Sequence, residues 1–477
     1  MATELPPCEA TFTLEEVLRA TGGELHHGEP SRRLQGVATD TRRLRPGELF
    51  VALKGERFDA NAFLPRAVEA GASALVAHPG AAVDALPVPV VTVPDTLRAL
   101  GDLARAWQRR LRAARPIPVV AISGAVGKTT TKELTRAALE AIFGACHGTV
   151  GNLNNLVGAP WTVLGLTAEH RALVVECGSN APGEIARLGD IIEPEVALCT
   201  NADAAHTEFL GSVDAVAEEE GSLFAHARRA VCACVDEPRS YARSDLRRPG
   251  VAKIPFGIAP LAGVRALRRT PLADGRQAVE LSLPNGEGLL VTTGLLGPVV
   301  ATNLAAALAA AWACGADLEG MRRAAEALGA VPSVPGRLCL REGPRWAVVD
   351  DTYNASPRAV AAALDAAAEL CRARRGRLVV ALGDMLELGA LAATAHDEAV
   401  TGARAAGAAV LLCVGAQAVA ASERVPLPGV ELLRAAGSDE GAGLLRGRVR
   451  DGDVVLVKGS RGVRMERCVD ALLEAER

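Results

Sequence analysis

The chain has 477 residues, enough for three domains of ordinary size, and 49% of them are apolar, so a large buried core is feasible and global disorder is excluded. A formal net charge of -4 provides no broad basic field, which argues against nucleic acid as a partner. Aromatic residues make up only 3%, leaving few rings to stack bases or build a sugar platform.

Residues 1–11 carry Glu4, Glu9 and two prolines and lack the basic flank and apolar run of a signal peptide. Residues 109–118 (RRLRAARPIP) form a basic, proline-containing connector before the first strong strand. Short apolar runs then alternate with helix-like segments, at 117–122, 172–176, 196–200, 347–350, 378–382, 410–414 and 454–457. Near-continuous apolar strands separated by helices imply parallel sheets covered on both faces, with ligands at the carboxyl ends of the strands. Residues 251–294 read as a polar β-meander. The uncharged stretch 291–316 is long enough to span a bilayer, but Gly297-Pro298 breaks it, so a strand, a turn and a buried helix are expected. A Pro/Gly hinge at 331–336 (VPSVPG) precedes the last segment. The expected architecture is α/β in three domains: 1–111, small and α/β; 112–330, a central P-loop-type domain with a mostly parallel sheet flanked by helices; and 331–477, Rossmann-like. The 11 cysteines include no CxxC pair, and they are expected as reduced, mostly buried thiols of a cytoplasmic protein.

The strand ending at Ile122 leads into Ser123-Gly124-Ala125-Val126-Gly127-Lys128-Thr129-Thr130, with a helix expected from near Thr131. Such a loop turns its backbone N–H groups, from Gly124 to Thr130, onto phosphate oxygens, and the helix N-terminus adds its positive dipole end. Lys128 reaches the β- and γ-phosphates and the Thr129 hydroxyl suits Mg²⁺. The strict P-loop pattern wants glycine where Ile122 stands, so this is the shorter GxxGKTT form. Glu176 closes an apolar strand (ALVVE), where burial is costly unless a cation answers the charge, and it reads as a Mg²⁺ ligand.

At this point the chain resembles the Mur ligases, most closely the MurF family. The resemblance rests on TDTR at 39–42, LFVALKGERFDA at 49–60, GNLNNLVGAP at 151–160, ECGSN at 176–180 and NADAAHTEFLGS at 201–212. VPGR at 334–337, DDTYNASP at 350–357, GDMLELG at 383–389 and KGSR at 458–461 extend it through the last segment. It implies an ATP-dependent ligase in which a UDP-muramoyl-tripeptide carboxylate is phosphorylated and the amine of D-Ala-D-Ala then attacks the acyl phosphate. ATP and Mg²⁺, two small-molecule substrates and a monomer are the implied cofactors, partners and state, with no membrane span.

By this resemblance His206 is a second metal ligand, Arg337 reaches the γ-phosphate, Asp351 the ATP ribose, and Tyr353 and Asn354 shape the same loop. Thr39, Asp40, Thr41, Arg42 and Lys54 fall at a uridine-diphosphate site, and Asn154 and Asn155 at the substrate. The family places a carbamylated lysine where this chain has Glu220, whose two oxygens and negative charge are expected to replace the carbamate at Mg²⁺, directly or through water. The family's His-Asn, which helps read adenine, is Val299-Val300 here, and Asn303 is the retained amide. Two alternatives stay open: a sister ligase, either a Mur ligase adding a different residue or a folylpolyglutamate synthetase, and a nucleotide-binding regulator that has lost catalysis.

Overall fold

The computed structural model describes residues 5–475 apart from 7, 56–57, 81–82, 84, 205–206 and 273–274. Three larger sheets organise the chain. The first has five strands in the order Glu24–Leu25, Val90–Thr92, Ala74–Ala77, Leu49–Val51 and Val37–Ala38, parallel except at the Glu24–Leu25 edge. The second has nine strands. Cys146–Gly148, Ala172–Glu176, Val119–Ser123, Val196–Cys199, Ala230–Cys234 and Ala252–Gly257 lie parallel in that order. Val264–Pro271, Gln277–Ser282 and Gly288–Thr293 continue the sheet as an antiparallel meander, whereas Ala252–Gly257, within the 251–294 stretch expected as meander, pairs parallel on both sides. The third sheet has six strands, parallel except for the Cys339–Glu342 edge, with Ala347–Asp351 beside Val454–Lys458.

The apolar runs explain this. Val119–Ser123 and Ala172–Glu176 are buried at every position, so both of their faces must be covered. Helices Lys128–Phe143, Val299–Ala313 and Leu318–Gly329 cover one face of the central sheet, and Thr96–Ala114, Gly158–Leu164 and Glu184–Ile192 the other. Each fully buried Val, Leu or Ile contributes about 1.5–3 kcal/mol. The 291–316 stretch resolves as expected into strand end, turn and the Val299–Ala313 helix, whose alanines pack closely on the sheet.

The basic stretch at 109–118 differs from the expected connector. Residues 109–114 are the last turns of the 19-residue helix Thr96–Ala114. Trp107 Nε1 donates to Leu166 O at 2.8 Å, and Gln108 Nε2 donates to the carbonyls of Ile191 and Ile192. Of the arginines that suggested a linker, Arg109 pairs with Glu193, Arg110 with Glu16 and Arg112 with Glu195. Amphipathic spacing continued under the charges, and the long arginine stems let it do so.

All 11 cysteines are free, nine of them buried. Burial pushes the Cys199 and Cys314 thiols up to about 12, which keeps them protonated and inert. No helix among the described residues is long and apolar enough to cross a membrane.

Candidate functional site

A cavity of about 290 Å³ opens where the carboxyl ends of the central strands face the third sheet. Its wall is built from the phosphate loop, from Glu176 and the loop after it, from the start of the Val299–Ala313 helix, and from Arg337, Asp351, Tyr353 and Asn354 across the hinge.

The loop is held from three sides. Gly124 has φ +124°, and a Cβ there would lie 2.1 Å from Thr200 Oγ1, so only glycine fits. The Asn201 side chain grips the main chain of one residue from both flanking peptides: its Oδ1 accepts the Val126 N–H at 3.0 Å and its Nδ2 donates to Val126 O at 2.8 Å. Thr200 Oγ1 donates to the same carbonyl, and Ala125 N–H donates to Asn201 O. Helical structure begins at Lys128, earlier than the expected Thr131, so the helix N-terminus lies directly against the loop.

Three consecutive glutamates on the Val213–Gly221 helix have three different duties. Glu218 pairs with Arg243 at the surface. Glu219 accepts the N–H groups of Gly183 and Ile185 and so caps the Glu184–Ile192 helix. Glu220, 2% exposed, accepts the Gly124 N–H at 2.7 Å and stands 3.8 Å from Lys128 Nζ. Lys128 also donates to Gly124 O. Glu220 does not line the cavity. The expectation of a carboxylate facing Mg²⁺ is therefore changed in detail: the acid sits beneath the phosphate loop, with the loop's own N–H and lysine as its neighbours.

Glu176 is 1% exposed. Asn154 Nδ2 donates to its Oε1 at 2.8 Å, while its Oε2 is buried without a hydrogen-bond partner among the described residues. Thr129 Oγ1 is likewise buried without a partner. Two unsatisfied oxygens at the edge of a phosphate loop match the hard donors that Mg²⁺ takes. His206 lies outside the described residues, and among the described residues no cluster of three acidic, His or Cys side chains is arranged to hold a metal.

Across the hinge, the Arg337 guanidinium stacks on Tyr353, 4.1 Å from the ring centroid. Asp351 accepts the Leu338 N–H through Oδ1 and pairs with Lys458 through Oδ2. Lys458, 2% exposed, also donates to Asn354 O at 3.0 Å, so it ties down the loop carrying Tyr353 and Asn354. Sequence reasoning missed Lys458, Asn201 and Glu219. The signal for Lys458 was present: like Glu176, it is a charge closing an apolar strand (VVLVK).

The structure thus brings Ala125, Val126, Gly127, Lys128, Thr129, Thr130, Asn154, Asn155, Glu176, Asn303, Arg337, Asp351, Tyr353 and Asn354 to one cavity. Asn155 Oδ1 accepts the Val157 and Gly158 N–H groups at the start of the Gly158–Leu164 helix. Thr39, Asp40, Thr41, Arg42 and Lys54 do not join the cavity. They follow the neighbouring strands Val37–Ala38 and Leu49–Val51 of the first sheet. There the Arg42 guanidinium grips Asp40 and holds its carboxyl below the usual range.

Comparison with known proteins agrees with this architecture. Residues 33–108 match the Mur ligase family catalytic domain, 122–311 the Mur ligase middle domain, and 336–461 the Mur ligase glutamate ligase domain. The chain is 35% identical to the UDP-N-acetylmuramoyl-tripeptide–D-alanyl-D-alanine ligase of Escherichia coli K12, over 97% of this chain and 99% of that one. The crystal structure of MurF from Acinetobacter baumannii superposes with a TM-score of 0.86 at 28% identity, covering 99% and 100% of the two chains. That of the Thermotoga maritima MurF ligase in complex with ADP superposes with a TM-score of 0.79 at 26% identity, covering 92% and 97%. With the phosphate loop, the three matched domains and near-complete coverage of its relatives in agreement, the chain belongs to the MurF family of Mur ligases, the UDP-N-acetylmuramoyl-tripeptide–D-alanyl-D-alanine ligases.

Proposed function

We propose that this chain joins D-alanyl-D-alanine to UDP-N-acetylmuramoyl-tripeptide with ATP, through an acyl phosphate, as the last cytoplasmic step of peptidoglycan precursor synthesis. One observation carries the residue-level reading: Lys128 lines the same cavity as two buried oxygens with no hydrogen-bond partner among the described residues, Thr129 Oγ1 and Glu176 Oε2.

Phosphoryl transfer between two anions asks for positioning and charge neutralisation more than for a nucleophilic side chain. The N–H groups of Gly127, Lys128, Thr129 and Thr130 hold the phosphates, while those expected at Gly124, Ala125 and Val126 are taken up by Glu220 and Asn201 and shape the loop. Lys128 balances the charge on the β,γ-bridge, and Arg337 offers its fork of donors to the γ-phosphoryl oxygens. Thr129 and Glu176 would hold Mg²⁺, with His206 as a further ligand, and the ion would supply charge neutralisation on the triphosphate. Asp351 accepts from the ribose, and Asn303 faces the nucleotide beside Gly127. Glu220 serves the site from below, fixing Gly124 and countering Lys128 while the phosphates are absent. The tripeptide carboxylate takes the γ-phosphoryl group. The amine then adds to the acyl carbon, loses its proton and expels phosphate. Closure of the hinge excludes water from the acyl phosphate.

Segment 1–111 is assigned to the UDP-linked substrate through Thr39, Asp40, Thr41, Arg42 and Lys54. Segment 112–330 is assigned to ATP, and 331–477 to completing the ATP and amino-substrate site, where Asn154, Asn155, Tyr353 and Asn354 face the reacting groups. The chain is taken to work as a monomer.

The test is a ligase assay with diaminopimelate- and lysine-containing tripeptides, with and without Mg²⁺. Equal amounts of ADP, phosphate and pentapeptide, formed only with Mg²⁺ and only with D-Ala-D-Ala, are expected. Nucleotide binding without product under any condition would instead favour a regulatory protein.

A further inference from the structure

The cavity lining combines two chemically distinct sets of side chains. One set is polar: Lys128, Thr129, Thr130, Glu176 and Asn154. The same lining includes an aliphatic slot contributed by Leu296, Val299 and Val300 and, from across the hinge, by Pro332, Ala359 and Ala362. None of these side chains carries a hydrogen-bonding atom. The lone amide on the same helix, Asn303, is 6% exposed, and its Oδ1 lies 3.2 Å from where a Cβ of Gly127 would stand, so it belongs with the phosphate loop.

The main chain around the slot is also largely committed. Gln277 Nε2 donates to the carbonyls of Leu295 and Gly297. The Leu295 N–H donates to Thr293 Oγ1, and the Val300 and Ala301 N–H groups turn back to Gly297 O and Pro298 O. Prolines at 298, 332 and 335 remove three further donors. Gly297, at φ +83°, brings this turn against the opposing helix: a Cβ there would meet Ala366 Cβ at 2.8 Å. The slot is therefore aliphatic and offers few free donors or acceptors.

Given that this cavity takes the driving nucleotide, we propose that the nucleobase is selected by ring size and apolar contact and not by side-chain hydrogen bonds, so that purine nucleoside triphosphates other than ATP also drive ligation. An aliphatic pocket rejects poorly an analogue of the same shape, whereas a site built to hydrogen-bond a substrate group rejects its absence by about 10⁴-fold or more. Inosine triphosphate is the diagnostic case, because it reverses the donor and acceptor pattern at positions 1 and 6 while keeping the purine outline. With it, the tripeptide carboxylate bonds to the γ-phosphorus as the β,γ-bridging P–O bond breaks, giving IDP and the acyl phosphate. The amine then forms the C–N bond as the acyl C–O bond to phosphate breaks, releasing phosphate and one proton.

The experiment measures kcat/KM of the unmodified full chain for ATP, ITP, purine riboside triphosphate and UTP, following pentapeptide directly. ITP and purine riboside triphosphate within about 30-fold of ATP, with UTP poorer than both because one ring covers less of the walls, is the expected result. A larger loss with either purine analogue, or UTP equal to ATP, overturns the inference while leaving the ligase reading intact. No pentapeptide with ATP itself would sink the ligase reading, and this inference with it.

Discussion

Replacing Glu220 by alanine separates an acid that anchors the phosphate loop from one on an idle helix face. In the folded chain its carboxylate accepts the Gly124 N–H at 2.7 Å and stands 3.8 Å from Lys128 Nζ, at 2% exposure. Glu220→Ala leaves a buried N–H without that acceptor and Lys128 without its counter-charge. A hydrogen bond to a charged group is worth about 1.5–3 kcal/mol, so kcat/KM for ATP should fall about 10- to 150-fold. Glu220→Gln keeps an acceptor for Gly124 and loses only the charge, so it should lie between alanine and the parent. The assay is coupled ADP release at saturating tripeptide and D-Ala-D-Ala, with thermal unfolding as the folding control. Glu220→Ala within about twofold of the parent would refute the reasoning. A Glu220→Lys enzyme that is carbamylated and equally active would show that any anionic head suffices there.

The Thr129 hydroxyl makes no hydrogen bond among the described residues, so Thr129→Val should leave the unfolding temperature unchanged or slightly higher. It should also raise the Mg²⁺ concentration for half-maximal activity by at least about 10-fold; an unchanged Mg²⁺ requirement would dismiss the hydroxyl as a ligand. Lys458→Met strands the buried Asp351 carboxylate and should cost about 3–5 kcal/mol in urea unfolding, with Lys458→Met/Asp351→Asn recovering part of the loss. Additive losses in that cycle would mean the two side chains are not coupled. Burial, reinforced by neighbouring His170, lowers His147 to about 4. The unfolded chain then takes up the proton first as pH falls, so this stability is present above about pH 6.5 and is lost toward pH 4, by about 2 kcal/mol at pH 5. Comparing the urea midpoints of the parent and His147→Gln at pH 7.5 and pH 5 checks it; an equal pH dependence in both would reject His147 as the cause.

Much of the site was legible because it obeys local rules. Gly-Lys-Thr-Thr after an apolar strand demands a phosphate-binding turn, and a glutamate closing ALVVE has few uses other than a cation. The strand at 172–176 forms with the expected bounds, and Lys128, Glu176, Arg337 and Asp351 meet at one cavity although they come from distant parts of the chain. Less legible was Glu220, whose sequence neighbours are two more glutamates: only packing assigns one to the surface, one to a helix cap and one to the phosphate loop. The connector at 109–118 was misread because arginine density resembles a linker, whereas the buried Trp107 and Gln108 continue the helix face beneath it.

The sequence by itself determined which elements exist and where phosphate binds, because strand burial, glycine freedom and helix termini act over a few residues. Only the tertiary structure decided how charged and polar groups were partnered: Lys458 with Asp351 across two neighbouring parallel strands, Asn201 on the Val126 main chain, and Glu220 beneath Gly124. Electrostatic partnership depends on distance through space, and residues about a hundred positions apart along the chain become neighbours only when the sheet sets their register.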